Sequence, residues 1–145
     1  MVGVIGGRDV SPWHLGQAQL TGRLIAQKGG LLVCGGLGGV MEAACKGAKE
    51  AGGLTVGILP QGQTTHANPH VGIPIATGMG MARNAIIAQT ADVLIAIGGS
   101  YGTLSEIAYG LQFNKPVIGI GTWEIEGVIT AETAAEAVEM AFSFK

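Results

Sequence analysis

The sequence predicts one doubly wound α/β domain over residues 1–145, a mostly parallel, Rossmann-like sheet with helices on both faces. Three observations point there. Short apolar runs alternate with helix-period segments along the whole chain, the β-α alternation that builds such sheets. Those runs are continuous, not alternating, so each strand is covered on both faces, as in a parallel sheet. Glycine supplies 26 of the 145 residues, against a usual share of about 7%, and it sits at the joints. A chain of this length forms one domain and buries about 68–70% of its unfolded surface.

Val2–Ile5 is the first strand, followed by Gly6-Gly7-Arg8-Asp9. Ser11 is placed to cap a helix from Pro12 to about Gln27, because proline suits the first helical turn, and Gly29-Gly30 ends it. Leu31–Cys34 is the second strand, closed by Gly35-Gly36-Leu37-Gly38-Gly39, and Val40–Ala51 is the second helix, ended by Gly52-Gly53. Leu54–Leu59 is the third strand, stopped by Pro60, and Gln61–Val71 is a polar loop of lid-like length. Ile73–Ala76 is a short fourth strand, and Gly78-Met79-Gly80 leads into a helix from about Ala82 to Thr90. Val93–Ile97 is the fifth strand, and Gly98-Gly99-Ser100-Tyr101-Gly102 opens a helix from Thr103 to Phe113. Pro116–Ile120 is a sixth strand, and Thr130 is read as the cap of a last helix, Ala131 to about Phe142.

Several classes of partner are excluded. Hydrophobic residues make up 48% and charged ones 12%, but the uncharged stretch from Ala51 to Ala82 is broken by Pro60, Pro69 and Pro74 and by histidine, asparagine and glutamine. It cannot supply the roughly 20 consecutive apolar residues of a spanning helix. The chain opens on an apolar strand without a basic leader, and Cys34 and Cys45 fit neither a CxxC nor a metal spacing, so reduced core thiols and a cytoplasmic protein are expected. A net charge of −2 with no Lys/Arg cluster argues against duplex nucleic acid. His66 and His70 in HANPH have a proline between them and no third ligand in view, so no metal site is expected. Trp13 and Trp123 read as packing residues.

The glycines point at a ligand. In open α/β sheets ligands bind beyond the carboxyl ends of the strands, and four exits there are glycine-rich: Gly6-Gly7, Gly35 to Gly39, Gly78-Gly80 and Gly98 to Gly102. Each leads into a helix whose first amides lack partners and whose dipole favours an anion. Together they describe a phosphate cradle, although tight βα turns alone also use glycine. No GxxxxGK[ST] and no GxGxxG with a later acid is present, so neither a P-loop nucleotide nor a dinucleotide fits. A smaller phosphorylated ligand does. From Ala51 to Trp123 the only charged residues are Arg83, Asp92, Glu106 and Lys115. Arg83 and Glu106 each follow a glycine exit by one helical turn and are the candidate chemical residues. Both have plainer readings: Arg83 as a solvated helix residue, and Glu106 as the end of a Thr103-Leu104-Ser105-Glu106 capping box. Asp92 reads as structural, while Arg8 and Asp9 border the first glycine exit.

Gly98-Gly99-Ser100-Tyr101-Gly102-Thr103-Leu104-Ser105-Glu106 resembles the GGxGTxxE signature of the LONELY GUY and molybdenum-cofactor carrier superfamily, some of whose members carry a lysine-decarboxylase label. Cys34-Gly35-Gly36-Leu37-Gly38-Gly39-Val40-Met41-Glu42-Ala43 resembles its GGxxGxMxA stretch, Met81-Ala82-Arg83-Asn84 its arginine motif, and Lys115-Pro116-Val117 its KPV. The resemblance runs in order along nearly the whole chain and implies the same Rossmann-like fold. The hydrolases of the superfamily read PGGxGTxxEE with a lysine after the arginine. Here Ile97 replaces the proline, the glycine loop is one residue longer, Ser105 precedes the glutamate and Asn84 replaces the lysine, which is closer to the carrier-like branch.

That resemblance implies two functions. In the first, the protein binds a phosphate-bearing nucleotide or molybdopterin-type cofactor without turnover. Gly98, Gly99, Ser100, Gly102 and Thr103 hold the phosphate, and Gly36, Gly38 and Arg83 line the site. In the second, it is a phosphoribohydrolase cleaving a nucleoside 5′-monophosphate to free base and ribose 5-phosphate. Glu106 then stabilises an oxocarbenium-like transition state and activates water, Arg83 orients the ligand, and no cofactor is required. Lysine decarboxylation is rejected, since no lysine falls in the cleft for a pyridoxal Schiff base. Apolar helical surface around Ile86, Ile87, Leu111 and Phe113 predicts a homo-oligomer, a dimer or tetramer.

Overall fold

The computed structural model describes residues 1–144. Seven strands form one wholly parallel sheet: β1 Val2–Gly6, β2 Leu32–Cys34, β3 Thr55–Leu59, β4 Ile73–Ala76, β5 Val93–Ile97, β6 Val117–Ile120 and β7 Val128–Thr130. The spatial order is β4-β3-β2-β1-β5-β6-β7, so the chain reverses its winding between β1 and β5. The helices are α1 Pro12–Gln27, α2 Val40–Glu50, α3 Arg83–Thr90, α4 Tyr101–Gln112 and α5 Ala134–Ser143. Two hydrophobic clusters fill the two faces. One gathers α1, α2 and α5 around Val4, Ile25, Ala44, Ile95 and Val138; the other gathers α3 and α4 around Ile5, Ile87, Leu94 and Ile107. β2, β3, β5 and β6 are buried throughout, which is why their sequences show no alternation.

Pairing of β1 with β5 runs from Val2 opposite Val93 to Gly6 opposite Ile97. The glycine loops that follow, at Gly7 and Gly98, therefore leave the sheet side by side at the switch point, where doubly wound folds bind ligands. Gly39 shows why glycine is required at the neighbouring exit. Its φ is +67°, and a Cβ there would lie 2.4 Å from the Gly7 carbonyl oxygen. The loop after β2 packs backbone to backbone on the loop after β1, and Val40 N–H donates to Gly7 O at 3.1 Å.

Ser11 caps α1 as its sequence implies, its Oγ accepting from His14 N–H at 3.3 Å. Three expectations are corrected. Thr130 ends β7 instead of capping a helix; the cap is Thr133, whose Oγ1 accepts from Glu136 N–H at 3.3 Å, and α5 starts at Ala134. α4 begins at Tyr101 with Ser100 as its cap, two residues ahead of the predicted start. Ile87 is wholly buried and Ile86, Leu111 and Phe113 pack against the core, so they are not the exposed apolar face. The large exposed apolar side chains are instead Ile73, Ile75, Met79, Met81, Tyr101 and Tyr109 on β4, α4 and the turn before α3, with others elsewhere on the surface. Among the described residues no helix is long and apolar enough to cross a membrane.

Candidate functional site

A groove runs along the carboxyl edge of the sheet in three compartments that share walls. The central one, about 340 Å³, is lined by Arg8, Asp9, Arg83, Ser100, Thr103 and Glu106, among others. Asp9 also walls a second compartment of about 430 Å³ that includes Gly98, Gly99 and Trp123. Arg8 and Leu37 also wall a third of about 370 Å³, which includes Gly38, Glu42 and His66. The structure thus brings Arg83, Ser100, Gly102, Thr103 and Glu106 together, sets Gly98 and Gly99 on one side, and sets Gly38 on the other. Gly36 belongs to the framework: its N–H donates to Cys34 Sγ at 3.3 Å and its carbonyl accepts from Asn68 N–H at 2.8 Å.

Arg83 is only 5% exposed, which overturns its reading as a solvated helix residue. It opens α3 and reaches back under the sheet edge. Its Nε donates to Ile58 O at 2.9 Å, its Nη2 to Gly35 O at 3.4 Å and its Nη1 to Asn84 Oδ1. These partners end β3 and β2, so one side chain ties three neighbouring elements together beneath the groove. Asn84 extends the network to α4, its Nδ2 donating to Ser105 Oγ at 3.0 Å, while Ser105 Oγ donates to Gly102 O at 2.6 Å. Asn84 and Ser105, the two departures from the hydrolase pattern, therefore bond to each other. Burial pulls the Arg83 pKa below the ordinary arginine value, the nearby Glu106 opposing that shift.

Glu106 is 6% exposed and lines the same compartment. Its capping reading is overturned. With Ser100 as the cap, the residue three positions on is Thr103, whose Oγ1 accepts from Ser100 N–H at 3.3 Å. Glu106 lies a turn deeper, and its carboxyl makes no hydrogen bond to any described residue. Burial raises its pKa to about 8, the Arg83 charge only partly offsetting that. Near neutral pH the carboxyl is therefore mostly protonated, and the compartment's two arginines face the acidic Asp9 alone. Its charge is net positive. With the first amides of α4 beside it, this is a setting for an anion.

The third compartment is walled on one side by Gln61, His66 and Asn68 of the 61–71 segment, which is held in place by Asn68. Its N–H donates to Gly36 O at 2.8 Å and its Nδ2 to Leu37 O at 2.9 Å. Among the described residues no cluster of histidine, cysteine and acidic groups has metal-ligating geometry. Sequence reasoning missed Asn84, Met81, Met41 and Pro60 as lining residues, and it took Trp123 for packing. Asn84 carried a signal, since it directly follows the candidate arginine.

The SLOG cluster4 family matches the chain over residues 1–143. An uncharacterised protein of Archaeoglobus fulgidus is 48% identical over 143 residues, covering 98% of this chain and 94% of that one. Among solved structures, the molybdenum cofactor binding protein of the phototrophic bacterium Rippkaea orientalis superposes with a TM-score of 0.93 at 39% identity, covering 98% of this chain and 94% of that one. The Moco carrier protein of Chlamydomonas reinhardtii superposes with a TM-score of 0.90 at 38% identity, covering 99% and 95%.

Proposed function

The chain belongs to the SLOG cluster4 family, and from that premise we propose that it is a carrier-like protein binding a phosphate-bearing nucleotide or molybdopterin-type cofactor in the groove. One observation carries the reading: buried Arg83, protonated Glu106 and the Ser100–Thr103 start of α4 converge on a single compartment of net positive charge. The residues present fit the phosphate of such a group. Ser100 and Thr103 offer hydroxyls at a helix start, the other first-turn amides of α4 lie beside them, Arg8 brings an exposed cation, and Arg83 holds the floor. A Cβ at Gly102 would crowd Met81 Cε at 3.3 Å, so glycine lets the backbone pass close at this wall. Similarity to the cofactor-binding protein of R. orientalis and the carrier of C. reinhardtii supports the molybdopterin-type ligand.

A second reading rests on Glu106. A carboxyl freed from capping, raised to about 8 and set beside the arginine suits acid–base chemistry on a nucleoside 5′-monophosphate, releasing base and ribose 5-phosphate. Incubation with a panel of nucleoside monophosphates, followed by chromatography for free base, separates the two. The carrier reading predicts no free base but thermal stabilisation by phosphorylated ligands, retained in Glu106→Gln. Base release by the wild type and not by Glu106→Gln would replace it with the hydrolase.

The same reading includes self-association of the cytoplasmic protein. Met79, Met81 and Tyr101 are 49%, 63% and 89% exposed, and Ile73 and Ile75 lie on the edge strand nearby in sequence to the methionines. An apolar surface of this kind is covered by a second copy. Light scattering should give a dimer or tetramer of the 14.6 kDa chain; a monomer at micromolar concentration would contradict it.

A further inference from the structure

A separate compartment lies beside Trp123. It lies on the α1 side of the switch point, between the start of α1 and the turn after β6, and includes Asp9, Ser11, His14, Gly98, Gly99, Thr122 and Trp123 in its walls. We propose that it seats the flat nitrogen heterocycle of the same ligand, a purine or a pterin, whose phosphate occupies the central compartment. This rests on the phosphate-binding reading above.

Four observations converge. The two compartments adjoin: Asp9 walls both, and Gly98-Gly99-Ser100 passes from one to the other. The floor is rigid: the His14 ring is held by Ser11 Oγ at 2.7 Å from Nδ1 and by Gly121 O at 3.1 Å from Nε2. Since a carbonyl only accepts, Nε2 carries the proton and Nδ1 accepts from Ser11. The walls are cut to the rings. A Cβ at Gly98 would lie 3.0 Å from His14 Cδ2, one at Gly121 2.9 Å from His14 Nε2, and one at Gly99 2.7 Å from Trp123 Cζ3. All three glycines also have positive φ. Trp123 is nevertheless 38% exposed, leaving ring surface free for stacking.

The polar groups specify the kind of ring. Asp9 is an exposed carboxylate with no hydrogen bond to any described residue, an acceptor for the N–H edge of a guanine-like or pterin-like heterocycle. Thr122 also lines the wall, its Oγ1 buried without a hydrogen-bond partner. A simple alkyl phosphate uses none of these features. The two ring systems share this chemistry, and the ligands tested distinguish them.

The test is a set of titrations followed by tryptophan fluorescence and calorimetry, on wild type, Trp123→Ala and Trp123→Phe. The ligands are ribose 5-phosphate, guanosine 5′-monophosphate and a pterin monophosphate. In the wild type at least one ring-bearing phosphate should bind about tenfold more tightly than ribose 5-phosphate, the size of one base–aromatic stack. That advantage should collapse in Trp123→Ala and persist in Trp123→Phe, with ribose 5-phosphate affinity unchanged. A ring advantage retained in Trp123→Ala, or none in the wild type, would overturn the proposal. If ribose 5-phosphate does not bind, the phosphate reading fails by itself. Guanosine and the free pterin then decide the compartment: quenching that is lost in Trp123→Ala supports it, and its absence in the wild type refutes it.

Discussion

Two carboxyl groups at opposite ends of the sheet are shifted in opposite directions. At the amino end Asp92 sits before β5 with its side chain 77% exposed, and the amino terminus of Met1 pairs with it and holds its pKa below the usual carboxylate range. At the carboxyl end Glu106 is 6% exposed, has no hydrogen-bond partner among the described residues and is raised to about 8. The first is ordinary surface electrostatics, in which ionisation is favoured by a neighbour. The second is a carboxyl held where ionisation is costly. A fold does not need such a group for stability, and its place in a groove beside a buried arginine is what supports the site proposed above.

The sharpest way to break the comparison is to remove the arginine. Arg83→Met leaves the carbonyls of Ile58 and Gly35 without their donor and deprives Glu106 of its cation. The expected loss is about 3 kcal/mol in denaturant unfolding, with phosphate affinity abolished. A change under about 1 kcal/mol would mean that the buried network is not holding β2, β3 and α3 together. Gly39→Ala should come next, at about 2 kcal/mol. It imposes a Cβ at positive φ against the backbone of the preceding loop, and thermal unfolding would measure it.

Glu106→Gln separates the two ends by pH. The folded-state pKa of Glu106 is raised, so the stability associated with its neutral form is complete below the unfolded value, near 4.5, and is lost as pH rises toward about 8. Over that window the wild type should lose stability with a slope approaching about 1.4 kcal/mol per pH unit from this group, and Glu106→Gln should lack that component. Asp92 has the reverse sign. Its lowered pKa contributes stability present above the unfolded value and lost as pH falls through the folded one. Because the pair is exposed and screened, Asp92→Asn should cost less than about 1 kcal/mol, and added salt should shrink the difference further. An Asp92 effect larger than that of Glu106 would invert the comparison.

Much of this was legible in the residues. Continuous apolar runs and glycine joints gave six of the strands, four of the five helices to within two residues at the start, and the edge of the sheet where the candidate groove lies. Arg83 and Glu106 stood out because charge is so scarce around them. The rest depended on choices that spacing leaves open. Both Ser100 to Thr103 and Thr103 to Glu106 fit a cap with its partner three residues on, and Gly102 reads as a breaker although it lies inside α4. Thr130 and Thr133 both precede alanine-rich sequence, so the short β7 was absorbed into the approach to α5. The division of the groove was hidden for another reason. It depends on where the turn after β6 returns Trp123 to the glycine loop, a long-range contact that no local pattern encodes.

The central claim is that the Arg83–Glu106 compartment binds a phosphate-bearing ligand because burial keeps its glutamate neutral. Calorimetric titration of ribose 5-phosphate at pH 7 and pH 9 tests this directly, since its phosphate is largely doubly ionised at both values and it carries no ring that titrates between them. The account predicts binding at pH 7 that weakens severalfold at pH 9 as Glu106 ionises, with Glu106→Gln showing no such loss. No binding at pH 7, or equal affinity at both values in the wild type, would contradict it.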